Sequence, residues 1–567
     1  MDPWKVIVEM FKVQGIEYVF GLGDTFINMY ADEIDGIEAI NLRHESSTPF
    51  MAMAYSRLTG KIGVCSGAPG PGVANLIPGV LEAYSGSIPL VIPCLSASRE
   101  TKGRGEFQEA DQVKMMEPVT KWSAQVPSAE RIPWYLKEAF KIAQTGRPGP
   151  VYLDIPADVA GSGPLSKNDD QYDIEYPKAF TEFEPVRPVA AIEKIKKAKN
   201  MITNAEKPVI IAGNGVIISR AFNEFATFIE KSKIPFLTTP GGRGIYPENN
   251  QLALGVSGRY RSEPGRRYYQ MSDLVIIIGS SNEAFQTGWW EHLPDNADII
   301  QLDIDLTLPG RAGKAWEPDL FLPGDIKNNL EELNKLLIES EIDKEFIQSR
   351  IQTVKDLKSD YFQRVEKDIA AKGENLRARE VIYEACQVFD DNTILVNENG
   401  GQDTWSYSYP YYQVKSILGN IPVAEQTCMG MGVVGAIGAK LTRPERPVLA
   451  ICGDGAFQMY LQEMATACQY NLGLTWLVLN NNGLGWIRSK QKTAGFATET
   501  TDFKSQPDLT KVAQAYGCYA KTIKKSEDIV PALKSAISAN TNKIPAVLNC
   551  EIEYWPNMEH LDDKLKL

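Results

Sequence analysis

The sequence predicts an α/β chain of three domains, each a central parallel sheet flanked by helices. Three observations predict it. Short apolar runs alternate with helical patterns through most of the 567 residues. Runs such as Leu274 to Ile278 are continuously apolar and end in glycine, as strands buried on both faces do. The length, at about 150 residues per domain, asks for three or four domains.

The first domain is expected over 1–165 and closes on the strand pattern Val151 to Pro156. A polar, proline-bearing stretch from Gly161 to about Pro188 has no periodicity and reads as a linker. The second domain, 188–338, opens with a helical pattern near Ala190. It carries strand patterns at Pro208 to Ala212, Leu274 to Ile278 and Ile299 to Asp303. From Glu339 to Lys372 the chain is charged at helical spacing, which reads as a solvated connecting helix. The third domain, 375–555, carries strands at Thr393 to Asn397, Val448 to Cys452 and Trp476 to Asn480. It matches the first in length and texture, so the two read as related halves.

Composition narrows the function classes. With 43% hydrophobic and 23% charged residues the chain is ordinary globular protein, not disordered or fibrous. The net charge of −13 and the lack of a basic run argue against nucleic acid and anionic membranes as partners. No apolar stretch reaches the roughly 18 residues of a membrane span. The start, Met1-Asp-Pro-Trp-Lys5, has no basic-then-apolar leader pattern. The eight cysteines contain no C-x-x-C pair, so neither a metal cluster nor a disulfide scaffold is expected, but reduced thiols in a cytoplasmic enzyme.

The sharpest chemical signal lies in the third domain. Gly453-Asp454-Gly455 follows one buried strand, and Asn480-Asn481-Asn482-Gly483 follows the next. Ligands of open α/β sheets bind beyond the carboxyl ends of strands. Asp454, the Asn481 amide oxygen and a carbonyl near Gly483 form a set of hard oxygens suited to Mg²⁺, which often bridges protein to a diphosphate. Gly455 and Ala456 open a helix whose N–H groups can receive phosphate. The alternative is a pair of ordinary strand-end turns.

This spacing resembles the diphosphate-and-metal motif of the thiamine diphosphate-dependent enzymes. Phe457-Gln-Met459 and Leu461-Gln-Glu-Met-Ala-Thr466 agree with it. Within that superfamily the chain is most similar to the acetolactate synthase and pyruvate oxidase group, over nearly its whole length. The resemblance implies a thiamine diphosphate-binding fold in the first and third domains and a Rossmann-like central domain. It implies thiamine diphosphate and Mg²⁺ as cofactors, with Gly453, Gly455, Ala456 and Asn481 around the diphosphate and Gln402 as a further cofactor residue. Arg43-His44-Glu45 resembles the family's Arg-His-Glu, and Pro69-Gly-Pro-Gly72 with Asn75 its glycine-rich loop. By resemblance Glu45 is the glutamate that activates the cofactor through its pyrimidine ring nitrogen. Met429 is the apolar prop that bends the cofactor. Relatives build their sites between subunits, which implies a homodimer or a dimer of dimers. Phe107-Gln-Glu-Ala-Asp111 with Pro118-Val-Thr-Lys121 resembles a stretch bordering the active site. Gln108 is expected to reach cofactor-bound intermediates and Phe107 to form a wall. Lys121 orients an acidic substrate or is an ordinary surface lysine.

Other segments depart from the family. Phe285, in Gly279-Ser-Ser-Asn-Glu-Ala-Phe285, replaces an arginine that contacts the substrate carboxylate in flavin-dependent members, and Lys490 replaces a specificity tryptophan. Gly258-Arg-Tyr-Arg-Ser-Glu-Pro-Gly-Arg-Arg267 lacks the flavin-type Gly-Met-His-Gly pattern. FAD is therefore in doubt. Arg259, Arg261, Arg266 and Arg267 are candidates for the phosphates of ADP or coenzyme A, against the alternative of a charged helix start. Phe285, Trp289-Trp290 and Trp486 are candidates for a substrate wall, against core packing. The three histidines, 44, 292 and 560, include no adjacent pair, which argues against an aldehyde-releasing decarboxylase. The expected reaction is decarboxylation of a 2-oxo acid, pyruvate, with transfer of the two-carbon unit to a second carbonyl. The alternatives are a lyase or decarboxylase of 2-hydroxyacyl- or oxalyl-coenzyme A, a flavin-linked pyruvate oxidase, and a non-catalytic regulatory relative.

Overall fold

The computed structural model describes residues 2–23, 25–31, 33–161, 182–290, 294, 297–338, 342–371, 373–401 and 403–553. Much of the expected linker, residues 162–181, lies outside the described residues, as do Gln402, His292 and His560.

Three parallel sheets organise the chain. The first runs Gly63–Val64, Leu90–Ser96, Val151–Pro156, Trp122–Gln125. A parallel pair, Tyr18–Gly21 with Glu38–Asn41, joins it through a bridge from Phe20 to Cys65. The second runs Leu320–Pro323, Asp298–Asp303, Leu274–Ile278, Pro208–Ala212, Phe236–Thr238, Ala253–Val256. The third runs Asn420–Ile421, Ile394–Asn397, Val448–Gly453, Thr475–Asn480, Ala546–Glu551, Tyr519–Ile523. Pro208–Ala212, Leu274–Ile278 and Thr475–Asn480 are buried at every residue, which is why they read as apolar runs without alternation.

The second sheet reverses its strand order once and the third twice. In the third the first reversal falls between Ile394–Asn397 and Val448–Gly453, so the loop after Gly453 opens on the crevice that such sheets offer to a ligand.

The first and third sheets share one core. Helix Thr48–Thr59 packs on helix Met431–Thr442, and the core between them takes Phe50, Met51, Ala54, Met431, Val434 and Ile437. A Cβ on Gly438 would lie 3.0 Å from the Met51 carbonyl oxygen, so this glycine sets how closely the helices meet. Helix Lys344–Ala370 is not simply solvated. It buries a stripe of Arg350, Val354, Leu357, Tyr361, Val365 and Ile369. The Arg350 guanidinium donates to the carbonyls of Ala205, Glu206 and Ser232 in the central domain, while Tyr361, Val365 and Ile369 enter the core under the third sheet. All eight cysteines are free thiols.

Asp303, at the carboxyl end of its strand, is buried, and desolvation pushes its carboxyl up to about 7. A carboxyl raised on folding contributes most below its unfolded value, near 4, and that contribution is lost as pH rises through 7. Asp303→Asn keeps an acceptor for the Asp305 N–H. It is expected to stabilise the protein by roughly 2 kcal/mol at pH 8 and to have no such effect near pH 4. Thermal unfolding of both proteins across that range checks it, and parallel curves would refute it.

Candidate active site

Asp454 is buried at the start of the short helix Asp454–Met459. Its Oδ1 accepts the Asn481 N–H at 3.4 Å; its Oδ2 accepts the Gly483 N–H at 3.1 Å and the Gln506 side-chain amide at 2.7 Å. The carboxylate thus holds the loop that carries the other two proposed metal ligands. Burial pushes its pKa up, the desolvation cost that a divalent cation offsets. The Asn481 Oδ1 is buried without a hydrogen-bond partner. An orphaned hard oxygen beside a buried carboxylate suits Mg²⁺. Arg488 pins the loop from outside, donating to the Asn481 carbonyl at 2.9 Å while pairing with Asp502 at 2.9 Å. Gly483 admits no side chain, since a Cβ there would lie 2.4 Å from the Thr501 carbonyl oxygen, and one on Gly485 would displace the Asn481 amide, 2.3 Å away.

Glu45 opens a single turn, Glu45–Ser47, after the strand Glu38–Asn41. Its Oε2 accepts the Asn75 side-chain amide at 3.1 Å. A Cβ on Gly72 would lie 3.1 Å from its Oε1, so the glycine lets the loop pass close to that second oxygen without a side chain against it. Gln108 joins the same cluster through its backbone: a Cβ on Gly70 would lie 2.7 Å from the Gln108 carbonyl. Gln108 has φ 60°, a left-handed conformation that side chains rarely adopt. Gln112 ties the cluster down. It accepts the Gly70 N–H at 2.6 Å and donates to Tyr152, Asp154 and the Leu95 carbonyl.

Two buried glutamates couple these halves. Glu463 of helix Glu463–Gln469 accepts the Ser47 hydroxyl at 2.8 Å, the Arg43 N–H at 3.2 Å and the Thr466 hydroxyl at 2.7 Å. It brackets Glu45 from both sides, and burial raises its pKa. Glu82 of helix Pro71–Ser85 accepts the N–H groups of Ala424 and Cys428, fixing the segment that leads to Met429. Met429, half-buried, packs against the shared core, and Glu398 accepts the N–H groups of Gly430 and Gly432 just beyond it. Glu463→Ala leaves three donors unmet and is expected to lower the melting temperature by about 5 °C. A change under about 1 °C would remove Glu463 from this role.

The other candidates divide. Phe285, Trp289, Trp486 and Lys490 come together around Arg259, at the junction of the central and third domains. The four arginines do not converge. Arg259 stacks on Trp486, Arg261 lies 4.4 Å from the Tyr269 ring, and Arg267 pairs with Glu263. Lys121 stays apart from Glu45. Its ammonium donates to the carbonyls of Ile142 and Thr145 at a helix end, and burial lowers its pKa to about 8. Phe107 is 85% exposed and forms no wall within this chain.

A cavity of about 200 Å³ lies at the strand reversal of the central sheet, where flavin would be sought in this fold. Its lining carries five carboxylates, Glu283, Asp303, Asp305, Asp325 and Glu425, and three arginines, 57, 147 and 187. The arginines are engaged: Arg57 with the carbonyls of Asn420 and Gly241, Arg147 with Ser85, Ser87 and Glu283, Arg187 with Asp325. This lining does not suit the diphosphate of FAD, ADP or coenzyme A.

Gln506, Arg488 and Gln112 carry no signal of these roles in the sequence, because their partners are fixed only by the fold; Glu463 lies in the Leu461-to-Thr466 stretch that resembles the family, which does not mark its tie to Arg43 and Ser47. Among the described residues no helix is long and apolar enough to cross a membrane.

Three family models match the chain in order. They are described as thiamine pyrophosphate enzyme, N-terminal TPP binding domain, over residues 1–115; central domain, over 195–333; and C-terminal TPP binding domain, over 400–550. The probable acetolactate synthase large subunit of Methanococcus aeolicus is 32% identical over 555 residues, 95% of this chain and 90% of that protein. The corresponding protein of Methanocaldococcus jannaschii is 32% identical over 548 residues, with 95% and 90% covered. The acetolactate synthase large subunit of Haemophilus influenzae is 31% identical over 558 residues, with 96% and 94% covered.

Proposed function

The chain belongs to the thiamine pyrophosphate enzyme family, in its acetolactate synthase-like group, and from that premise we propose that it decarboxylates pyruvate and transfers the two-carbon unit to a second 2-oxo acid. It is a thiamine diphosphate-dependent enzyme that forms carbon–carbon bonds. The observation that carries the detailed reading is Asp454, buried and holding the loop that presents the orphaned Asn481 amide oxygen, together with Glu45, one oxygen of which is held by Asn75.

Bound thiamine diphosphate supplies a thiazolium that breaks and makes bonds at a carbonyl carbon and holds the electron pair released on decarboxylation. The rest falls to this chain. Asp454, the Asn481 Oδ1 and the Gly483 carbonyl would hold Mg²⁺, with Gly453, Gly455 and Ala456 around the diphosphate. Gln402, outside the described residues, is kept as a further cofactor contact. Glu45 would hold and return a proton at Oε1, the carboxylate oxygen that Asn75 does not engage, toward the cofactor's pyrimidine. Met429 props the cofactor, and Gln108 meets the substrate.

The three parallel sheets support a division into domains at 1–165, 188–338 and 375–555. A homodimer or dimer of dimers with sites between subunits is part of this reading. Phe107, 85% exposed beside Gln108, and Phe496, 71% exposed beyond the metal loop, are large apolar groups that such an interface would cover. The relatives' name, large subunit, also supports assembly. A cytoplasmic, reducing setting agrees with eight free thiols.

Carbon-13 NMR of pyruvate turnover, with Mg²⁺ and thiamine diphosphate, tests the reaction. Acetolactate is the expected product. Acetaldehyde would point to a simple decarboxylase and acetate to an oxidase; no reaction despite bound cofactor would favour a coenzyme A thioester lyase or a non-catalytic relative.

A further inference from the structure

Cys468 and Cys518 stand 50 residues apart in the chain, yet their sulfurs are in contact at 3.8 Å. Two pieces of local structure bring them together. Cys468 lies in the last turn of helix Glu463–Gln469 and is partly exposed. Cys518 follows the short helix Leu509–Ala515 through Gly517, whose φ of 93° turns the chain back toward the third sheet. A Cβ on Gly517 would lie 3.8 Å from the Cys468 sulfur, so the turn rests directly on that thiol. Cys518 is buried in the core that the first and third sheets share. Its N–H donates to the Ala513 carbonyl at 3.0 Å, and the next N–H, of Tyr519, donates to the Pro545 carbonyl at 2.9 Å. Cys518 is therefore the fixed member of the pair and Cys468 the reachable one.

Chemistry also separates the two. With the Cys518 S–H as donor, the Cys468 sulfur is favoured as a thiolate and its pKa is lowered. Burial pushes the six cysteines outside the pair up. Thiolate character and exposure decide which cysteine an oxidant attacks, and a second thiol alongside converts the product to a disulfide.

The helix that carries Cys468 also holds the segment leading into Glu45. Glu463 accepts the Arg43 N–H and the Ser47 hydroxyl, and the Gln469 Oε1 accepts the Arg43 guanidinium at 2.6 Å. Tyr470, just past the helix, accepts the Asn41 N–H at 2.8 Å. We infer that Cys468 and Cys518 form a reversible oxidation site through which hydrogen peroxide turns down the Glu45 site. This rests on the role proposed above for Glu45. The Cys468 thiolate attacks one peroxide oxygen; the O–O bond breaks, one water leaves, and a sulfenic acid remains. The Cys518 thiol then attacks that sulfur; the S–O bond breaks, the second water leaves, and the S–S bond forms. The two thiols have given two electrons and two protons to the peroxide. Closing the gap from 3.8 Å to the S–S length of about 2 Å draws the helix end toward the Gly517 turn, because the core holds Cys518 in place. The ties to Asn41 and Arg43 loosen with it.

The test treats the protein, loaded with Mg²⁺ and thiamine diphosphate, with hydrogen peroxide. Remaining thiols are alkylated, cross-linked peptides are mapped by mass spectrometry, and amide hydrogen exchange is followed over residues 39–47. One cross-link is expected, between Cys468 and Cys518. Exchange over 39–47 should quicken by about 10-fold or more, and turnover of pyruvate should fall by about 10-fold or more, as a small misplacement of a reacting group implies. Dithiothreitol should reverse all three. Cys468→Ala should keep the untreated rate and lose the response to peroxide. Cys518→Ala should leave Cys468 as a sulfenic acid that dimedone traps. The inference is overturned if peroxide cross-links a different pair or none, or if Cys468→Ala still responds. It is also overturned if the cross-linked protein exchanges at 39–47, or turns over, as the reduced protein does. Should a variant fail to fold, the cross-link and exchange of the parent decide alone. A reduced parent that turns over no pyruvate would refute the carboligase reading, and the same two readouts would still decide the oxidation site.

Discussion

Glu45→Gln is expected to lower turnover by about 10²- to 10⁴-fold, the range for loss of a positioned acid–base group, while the protein remains folded. Glutamine is nearly isosteric and keeps a carbonyl oxygen for the Asn75 amide, which ties Glu45's carboxylate at 3.1 Å. Ser47 and Arg43 remain anchored to Glu463, so the turn keeps its place. Only the ability of Oε1 to take and return a proton is removed. The expected signature is a fall in kcat with cofactor affinity changed by a few-fold at most, read from kinetics and a cofactor titration. A loss of melting temperature together with activity would mean that Glu45 is structural. Full activity would remove it from the mechanism.

Asp454→Asn should be as damaging by a different route. The carboxylate meets the Asn481 N–H, the Gly483 N–H and the Gln506 amide, all of them donors. An asparagine presents one acceptor oxygen and an NH₂, which would face a donor across about 3 Å. The loop carrying Asn481 and Gly483 then loses its anchor as the negative charge for Mg²⁺ disappears. Affinity for Mg²⁺ and thiamine diphosphate is expected to fall by about 100-fold or more. Activity at saturating cofactor should return only in part. Calorimetric titration checks this, and unchanged cofactor affinity would show that the metal is held elsewhere.

The legible part of the molecule was whatever lies close in the chain. Strand-end motifs such as Gly453-Asp454-Gly455 and Asn480-Asn481 announce themselves, because a buried parallel strand is an apolar run and the residues after it form the crevice. The resemblance supplied roles for Glu45 and Met429 that spacing alone could not. What could not be read were partners brought together from opposite ends. Glu463 meets Ser47 across 416 residues and Glu82 meets Cys428 across 346. A lone glutamate in a helical pattern carries no mark of such a task. The charged segment at 344–370 reads as solvated for a related reason: its buried stripe opens on a charged residue, Arg350, which is satisfied by carbonyls of the central domain. The four arginines near 260 share a neighbourhood in sequence, but turn and helix geometry send them to different partners.

The proposed reaction requires that this chain use both Mg²⁺ and thiamine diphosphate to act on pyruvate. Protein dialysed against a chelator should release no CO₂ from pyruvate when given either cofactor alone. With both restored it should release CO₂ and form acetolactate in equal amounts. Release of CO₂ at the full rate with either one withheld, or no release from protein shown to have bound both, would contradict it.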